Sequence, residues 1–438
     1  MSNQIAAKVK KKLNNAISSV VNDLKLYVKN PEKDFSRTKL LSMEDVLKAH
    51  INFEGKSLTN EIPELFQDRV AERIPTKSAF IQRTNQINTE AFQQVFLNFT
   101  NSLDADSTLN GFRLIACDGS DINIPKNSAY EGTLIEKEGK TGYNQVHLNA
   151  TFDILNNIYT DVHIEPEIGS NERNALYVMA KRCKFKKKAV FIADRGYEGF
   201  NIIAKLQRCN ANFVIRLKDI SSNGILASFD SSGLDDEFDV DFSTTLTCST
   251  KNQYKLYDSY THIQKSNFDF FNDDSPTYNF KVRVCRFKIS DGGYECVATS
   301  LNRRKFPVDL VKKLYNMRWG IETSFRELKY TIDLLHFHSK RKDSILKEFY
   351  SRLTVFNFAQ HVNHLIAKSI ISSDKNKYVY TTNFAAAAAV CKRFLKPGGD
   401  KIDVYGLCLR DLVPIRPNRK SLRKVRQQSA KSFLYRAS

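Results

Sequence analysis

The sequence predicts an α/β fold: a mixed sheet with flanking helices, a β-rich insertion, an α-helical N-terminal domain, and a helical C-terminal region with a basic tail. Three observations support this fold. Residues 1 to about 100 have helical periodicity and lack strand alternation. From residue 112, β-branched and apolar segments follow one another and then alternate with helices. Residues from about 222 to 300 add strand-like segments, and a long helix follows them.

Length and charge bound the class of protein. The 438 residues, 42% of them hydrophobic, suit about two to four domains. The formal net charge of +19, from 67 Lys and Arg against 48 Asp and Glu, attracts polyanions, and nucleic acid is the commonest polyanionic partner. A ribosomal or membrane-surface protein would share this balance, so charge alone leaves the function open.

The cysteines and the apolar runs narrow the expected location. Eight cysteines are scattered without a C-x-x-C pair, which predicts reduced thiols and neither a zinc site nor a disulfide framework. No apolar run approaches the length of a membrane span, and the N-terminus lacks a signal-peptide core. We therefore expect a cytoplasmic, nucleoid-associated protein without a membrane partner.

Residues 1–105 are predicted to form a helical DNA-binding domain. A lysine cluster at positions 8, 10, 11 and 12 precedes the amphipathic segment LNNAISSVVNDLKLYV. A second segment, TKSAFIQRTNQINTEAFQQVF, carries Lys77 and Arg83 on a polar face. A solvated amphipathic helix without a ligand is the alternative interpretation of both patches.

Residues 106–221 are predicted to form the first part of the sheet. The segments FRLIAC, QVHLNATFDI and YTDVHIEP have strand character. A helix, NERNALYVMAKRC, follows with Asn171 as its N-cap, and then the strand AVFIA, the helix GFNIIAKLQRC and the strand NFVIRLK. This order predicts a mixed sheet covered by helices.

The remaining chain is predicted in three parts. Residues 222–300 form the β-rich insertion, with a hairpin turn at the Asp-Gly-Gly of 291–293. Residues 301–345 return to the core through a helix from Pro307 to about Leu335. Residues 346–438 form a helical region whose tail, from Pro414 onward, has eight Lys and Arg and no acidic residue. Such a tail suits a phosphate backbone, or simply solvent.

Two aspartates follow apolar segments. Asp118 comes directly after FRLIAC and Asp194 directly after AVFIA, so we expect each at the end of a buried strand, followed by a tight turn. Strand ends hold catalytic groups rigidly, and two aspartates on neighbouring strands could share a metal ion. Either aspartate alone could be a simple strand terminator.

The long helix carries a polar stripe. At about 100° per residue, four side chains fall within an arc of roughly 60°: Tyr315, Arg318, Glu322 and Lys329. An adjoining apolar stripe would face the core: Leu314, Ile321, Phe325 and Leu328. The alternative is an exposed polar face with an ordinary Arg–Glu pair at i, i+4.

Together these residues suit phosphoryl transfer. Two Mg²⁺ ions require carboxylates that converge from separate elements, and such ions activate the attacking oxygen and stabilise the leaving oxygen. Arg318 and Lys329 suit phosphate binding, the first as a planar fork and the second as a point charge. Tyr315 could donate a hydrogen bond to the same phosphate.

These motifs resemble the IS4 family of bacterial insertion-sequence transposases, which includes relatives of the Tn5 transposase. YNMRWGIETSFRELK matches the family pattern Y-(2)-R-(3)-E-(6)-K in full, and CDGSDINIP and ADRGYEGFN match the two aspartate motifs. TKSAFIQR resembles a further family helix. The resemblance covers residues from about 70 to 340.

The resemblance implies an RNase H-like core with Asp118, Asp194 and Glu322 as the DDE metal ligands for two Mg²⁺ ions, which Mn²⁺ could replace. It also implies that Tyr315, Arg318 and Lys329 hold the phosphate of the transposon end. The implied reaction is cleavage at terminal inverted repeats, a DNA hairpin intermediate, and strand transfer into target DNA. The implied partners are double-stranded DNA and a second copy of the chain in a synaptic complex.

The chain departs from the family pattern at the aromatic that stacks on a flipped base. Relatives use a tryptophan of the insertion, whereas the single tryptophan here is Trp319, on the long helix. We expect Tyr294, just after the Asp-Gly-Gly turn, to be the stacking aromatic, although most aromatics at such turns only pack. Without a stacking aromatic the hairpin route itself would fail.

Other candidate sites are weaker. The pairs His361/His364 and His336/His338 lack a third metal ligand at recognisable spacing, so we expect ordinary histidines. The acidic run of residues 235–241 is predicted to be a solvated strand edge. Ser120 has no general base at recognisable spacing to activate it as a nucleophile, so a serine recombinase is not supported. Two alternatives to a transposase remain: a metal-dependent RNase H-like nuclease, and a non-catalytic DNA-binding protein derived from a transposase, in which a carboxylate would normally be lost.

Overall fold

The computed structural model describes residues 3–37, 40–137, 140–220, 222–227, 229–249, 260–272, 274–289, 292–370 and 378–415. The helices are α1 Gln4–Asn22, α2 Leu24–Tyr27, α3 Met43–Asn52, α4 Leu58–Leu65, α5 Lys77–Gln86, α6 Thr89–Ser102, α7 Glu172–Arg182, α8 Phe200–Arg208, α9 Val308–Met317, α10 Gly320–Arg326, α11 Lys342–Ser369, α12 Phe384–Leu395 and α13 Val404–Arg410. The strands are β1 Arg113–Ile124, β2 Leu134–Lys137, β3 Lys140–Asp153, β4 Ile158–Pro166, β5 Ala189–Ala193, β6 Asn212–Leu217, β7 Phe238–Thr247, β8 Tyr260–His262, β9 Thr277–Lys288, β10 Tyr294–Thr299, β11 Val379–Thr382 and β12 Leu412–Ile415.

The centre of the molecule is a mixed sheet. β4, β3 and β1 are antiparallel neighbours, while β5 and β6 continue the sheet parallel to β1. Helices cover both faces, α7 and α8 on one and α10 and α11 on the other. This order and these directions are those of an RNase H-like core, so the predicted fold class is confirmed. Asn171 caps α7 as predicted, accepting a hydrogen bond from the backbone N–H of Asn174.

The strands of the insertion extend this same sheet. β10 pairs antiparallel with β6, and the order continues through β9 and β7 to β8. β9 and β10 form the predicted hairpin, although Ser290 and Asp291 of its turn lie outside the described residues. The acidic run leads into β7 and is a solvated strand edge as predicted, because β8 pairs with β7 only from Thr245 to Thr247. Four of its residues are exposed: Asp235, Asp236, Glu237 and Asp241.

The position of Asp118 differs from the prediction. β1 does not end before this residue but runs on to Ile124, with Asp118 paired to Ala150 of β3 in mid-strand. The strand continues because Ile122 and Ile124 are buried on one face and β3 is long enough to pair with them. The predicted turn at Asp118-Gly119-Ser120 is therefore wrong, whereas Asp194 does directly follow β5.

The helix of residues 308–331 is less regular than a helical wheel assumes. Arg318 and Trp319 connect α9 to α10 in helical conformation, and residues Glu327–Thr331 form a π-helical segment. The helix ends before Leu335 because Asp333 adopts a left-handed conformation (φ 73°). The predicted apolar stripe of this helix is buried, as expected.

The N-terminal helices share one hydrophobic core with α11 and with one face of the sheet. The 28-residue α11 is buried along most of its length and packs against α1, α3, α6 and β4. Its Asn357 accepts a hydrogen bond from the backbone N–H of Tyr159 and donates one to the carbonyl of the same residue, both at 2.8 Å. This helix joins the N-terminal helices to the core.

Internal partners satisfy part of the N-terminal lysine cluster. Lys10 lies 2.8 Å from Asp400, and Lys12 lies 2.8 Å from Asp104. The polar face of α5 is more open, since Lys77 and Gln82 are exposed. The predicted basic tail lies outside the described residues from position 416 onward.

Two further predictions concern the chain as a whole. All eight cysteines are free thiols, as predicted. Among the described residues, no helix combines the length and the apolar composition that crossing a bilayer requires.

Candidate active site

Three elements bring the predicted carboxylates together. β1 and β5 are parallel neighbours with Cys117 paired to Ala193, so Asp118 and Asp194 follow adjacent paired positions. α10, which carries Glu322, packs against β1. Neighbouring strands lie about 4.8 Å apart, which places the two aspartates side by side under the helix.

Arg318 links two of these carboxylates. Its Nη1 lies 3.3 Å from Asp118 Oδ2, and its Nη2 donates to Glu322 Oε1 at 3.0 Å. Asp194 is held differently, since its Oδ1 accepts a hydrogen bond from the backbone N–H of Gly196 at 2.8 Å. The guanidinium therefore fixes the separation of the first and third carboxylates, and the backbone orients the second.

Burial and like charge make this group electrostatically unusual. The pKa of Asp118 is raised to about 6, chiefly by burial and to a lesser extent by the nearby Asp194 and Glu322, against the lowering effect of Arg318 and the Gly119 backbone N–H. Two carboxylates thus share one guanidinium, and the third lies on the adjacent strand. Carboxylate oxygens from separate elements are the ligands that Mg²⁺ and Mn²⁺ prefer, so this donor set fits divalent cations.

Arg318 has unused donor capacity. The side chain is 6% exposed, and its Nε is buried without a hydrogen-bond partner among the described residues. A guanidinium has five N–H donors in a planar fork that matches phosphate oxygens. The arginine is therefore able to bind a further anionic group at the carboxylates.

The other two residues of the polar stripe reach different partners. Lys329 Nζ donates to the backbone carbonyl of Asp121 at 2.9 Å, three residues beyond Asp118 on β1. Tyr315 is buried and hydrogen-bonds with Arg216 of β6, and burial raises the pKa of its hydroxyl. Lys329 thus lies beside the site. Tyr315 lies on the buried side of the helix, with its ring 6.0 Å from the Arg318 guanidinium carbon.

Two aromatics are relevant to base stacking. Tyr294 begins β10 at the sheet edge where β5 and β6 end, but Arg286 covers one face of its ring at 4.0 Å and its hydroxyl donates to Asp236. Trp319 is 56% exposed, and its ring lies 5.6 Å from the Arg318 guanidinium carbon. Trp319 does not lie in the insertion, yet it is an exposed aromatic beside Arg318.

Sequence reasoning missed a second polar cluster near the site. His147 of β3 contacts Asp121 and Glu172, and ligand atoms of Asp121, His147 and Glu167 lie within 4.8 Å of one another, so they could hold a metal ion. Burial opposes protonation of His147, but the hydrogen bonds that its ring N–H groups donate to Asp121 and Glu172 outweigh burial and raise the pKa of the imidazole to about 10. No local signal marks this cluster, because the register of β1 and β3 creates it.

The histidine pairs belong to other surroundings. His338 lies between Glu61 and Glu348, at 3.3 and 2.9 Å, in the junction of the N-terminal helices with α11. His361 is buried, and burial lowers its pKa to about 4. Within the described ranges, neither pair belongs to a three-ligand group.

A comparison with protein families identifies the family of this chain. No curated protein matches the chain by sequence. A solved structure, a piggyBac transposase synaptic complex with hairpin DNA, is similar with a TM-score of 0.43 and 9% identity, over 91% of this chain and 78% of that chain. A family model described as the transposase DDE domain matches residues 110–358, which include all three carboxylates. The chain therefore belongs to the transposase DDE domain family.

Proposed function

We propose that this protein is an IS4-type transposase that cleaves DNA at the terminal inverted repeats of its element and joins the ends to target DNA. The observation that carries the proposal is the convergence of Asp118 and Glu322 on Arg318, with Asp194 on the adjacent strand, inside the matched family domain. A convergence of three carboxylates with one partly unsatisfied guanidinium suits phosphoryl transfer.

Asp118, Asp194 and Glu322 would hold two Mg²⁺ ions, with Mn²⁺ as a substitute. Bound divalent ions activate the attacking oxygen and stabilise the leaving oxygen in such reactions. The three side chains suit this role because a mid-strand residue, a strand end and a packed helix position them with little freedom.

Arg318, Lys329 and Tyr315 would bind and orient the transposon end. Arg318 offers its unpartnered Nε to a phosphate oxygen, and Lys329 provides a positive charge on the same side of β1. Tyr315 would act mainly through Arg318, since its ring lies 6.0 Å from the guanidinium carbon and its hydroxyl faces Arg216.

A hairpin route requires an aromatic that stacks on an unpaired base. Tyr294 is the candidate from the sequence, and Trp319 is a second candidate because it is exposed beside Arg318. Fluorescence of a 2-aminopurine placed next to the cleaved end would measure stacking. We expect Tyr294→Ala or Trp319→Ala to abolish the quenching, and unchanged quenching in both variants would contradict a stacking role for either residue.

The proposed DNA contacts extend beyond the site. The exposed face of α5, with Lys77 and Gln82, suits a phosphate backbone, and we propose that the helices of residues 1–105 bind the element's ends. Synapsis of two ends would require a homodimer on chromosomal DNA.

The decisive experiment incubates the full chain with Mg²⁺ and DNA that carries the flanking inverted repeats. Cleaved ends and joined products should form, and Glu322→Ala should abolish both without weakening DNA binding. Glu327→Gln is a matched control, since this residue lies on the same helix but hydrogen-bonds with Gln360 instead of the site. Joining by Glu322→Ala would refute the proposal, and nicking of any DNA without joining would favour a plain nuclease.

A further inference from the structure

A hydrogen-bonded pair lies on the opposite face of β1 from the carboxylates. Side chains alternate along a strand, so Asp118 faces α10, whereas Gly119 and Asp121 face α7. On that second face, His147 Nδ1 lies 2.8 Å from Asp121 Oδ1, and its Nε2 lies 3.0 Å from Glu172 Oε1. The imidazole is 8% exposed and bridges β1 to α7.

The first turn of α7 continues this connection to the second aspartate. Glu172 is hydrogen-bonded to His147. The next residue, Arg173, donates a hydrogen bond from Nε to the carbonyl of Gly196 at 3.0 Å. Gly196 is the residue whose backbone N–H orients Asp194. The connection therefore runs from β3 through α7 to the turn that carries Asp194.

The same pair passes directly over the residue next to Asp118. A β-carbon at Gly119 would lie 2.2 Å from His147 Nε2 and 2.4 Å from Glu172 Oε1, which is closer than atoms can approach. A β-carbon at Gly196 would lie 3.7 Å from Glu172 Oε2. The pair is thus packed against the backbone beside both aspartates, and the glycine of the Asp-Gly-Ser motif is explained by this close approach.

We propose that His147 and Glu172 are positioning residues that hold the backbone of Asp118 and Asp194 at the separation needed for one metal ion to bind both carboxylates. This inference rests on the proposed function, because it requires the two aspartates to be ligands. Neither residue of the pair is placed to contact DNA, since both lie behind β1. Both imidazole nitrogens already contact carboxylates, which favours a bridging role for His147 over metal ligation.

The test measures Mn²⁺ binding to the DNA-free full chain by isothermal titration calorimetry. We expect His147→Gln and Glu172→Gln each to raise the Kd for Mn²⁺ about tenfold, the lower end of what loss of an outer partner costs a metal site. The double variant should be no worse than either single variant, because the two residues act as one unit. Asp118→Asn gives the reference for loss of a ligand.

His163→Gln is the matched control. His163 lies on the next strand, β4, and forms the same kind of pair with Glu165 at 3.6 Å, but it does not pack against Gly119. Its Kd for Mn²⁺ should equal that of the wild type. Gly119→Ala is a second variant that displaces the pair without removing it, and it should raise the Kd in the same direction.

Three outcomes would overturn the inference. Unchanged Mn²⁺ affinity in His147→Gln and Glu172→Gln, with only a lower Tm, would mean that the pair is structural. A Co²⁺ site that survives in Asp118→Asn/Asp194→Asn protein and disappears with His147→Gln would make His147 a ligand in its own right. If Asp118→Asn binds Mn²⁺ as the wild type does, the proposed catalytic metal site is itself wrong, and the inference fails with it.

Discussion

Two arginines of β9 and the arginine that precedes α10 are equally buried but have different hydrogen-bond partners. Arg283 and Arg286 are 7% and 8% exposed, and each binds one carboxylate through two hydrogen bonds of 2.7–2.9 Å: Asp239 and Asp219, respectively. Arg318 is 6% exposed, yet it contacts two carboxylates through one bond each and leaves Nε without a partner among the described residues.

The pKa values of the carboxylates differ between the two regions, because their arginine partners differ. Hydrogen bonding to Arg286 lowers the pKa of Asp219, and the arginines beside Asp239 lower its pKa despite burial. Around α10 burial prevails, so the pKa of Asp118 rises to about 6 and that of Glu327 to about 7. The arginines of β9 are thus each matched by a carboxylate, whereas the carboxylates around α10 outnumber the guanidinium that they share.

This difference separates a structural ion pair from a binding site. An ion pair in which every donor and acceptor is hydrogen-bonded has no group left to bind a ligand. Removal of one partner of such a pair destabilises the fold. A cluster with surplus carboxylates and an unpartnered guanidinium N–H can accept a cation and an anion together. Substitutions in the two regions should therefore affect different measurements.

The largest expected effect comes from Asp118→Asn. We expect cleavage to fall about 10³-fold, the upper range for loss of one electrostatic group at a reacting centre. Asp219→Asn makes the same chemical change beside Arg286 and should leave the cleavage rate per folded molecule unchanged. Single-turnover cleavage of a radiolabelled transposon end measures both, and equal losses would remove the distinction between the regions.

Arg318→Gln should have the next largest effect. Loss of the guanidinium removes the phosphate donor and the link between two carboxylates, so we expect cleavage to fall about 10²-fold. Arg286→Gln is the control, since that side chain is as buried but binds Asp219. Comparable rates for the two variants in the same cleavage assay would show that Arg318 is only structural.

The free energy of unfolding should be affected in the opposite way, with the loss at Arg286 and not at Asp118. Arg286→Gln leaves Asp219 without its partner and should lower the free energy of unfolding by about 2 kcal/mol. Asp118→Asn relieves burial and repulsion of a charged group and should raise the stability of the metal-free protein at pH 8 by about 1 kcal/mol. Urea denaturation followed by circular dichroism measures both changes, and destabilisation by Asp118→Asn would contradict the excess of negative charge.

The smallest effect concerns pH. The pKa of Glu327 is raised from its ordinary value of 4.5 to about 7, because burial outweighs the hydrogen bond from Gln360. Between these values the native state keeps a proton that the unfolded chain has lost, so stability falls as the pH rises through this window. Glu327→Gln should therefore be more stable than the wild type by about 1 kcal/mol at pH 8 and equal to it below pH 4.5.

Scans of Tm from pH 4 to pH 8 measure that difference. Phe200→Leu serves as a control, since Phe200 packs against the hydrophobic core under α7 and α8. Its effect on Tm should not vary with pH. A constant offset between Glu327→Gln and the wild type would show that folding does not change the pKa of Glu327.

Much of the site was predictable because its residues stand in patterns that involve only nearby positions in the sequence. Asp194 directly follows a five-residue apolar strand, and the spacing of Arg318 and Glu322 places both on one side of a helix. Such patterns depend on the period of a strand or a helix and survive small irregularities. The π-helical segment at Glu327–Thr331 alters the wheel geometry, yet Lys329 still reaches β1.

The sequence by itself determined the order of the elements and the residues that carry the carboxylates, because periodicity and motif spacing are properties of neighbouring residues. Only the tertiary structure decided that β1 continues through Asp118, that the insertion extends the core sheet, and that His147 meets Glu172 over Gly119. Each of these depends on strand register or on packing between distant segments. Such contacts are set by burial and pairing across the whole fold and leave no periodic mark in the chain.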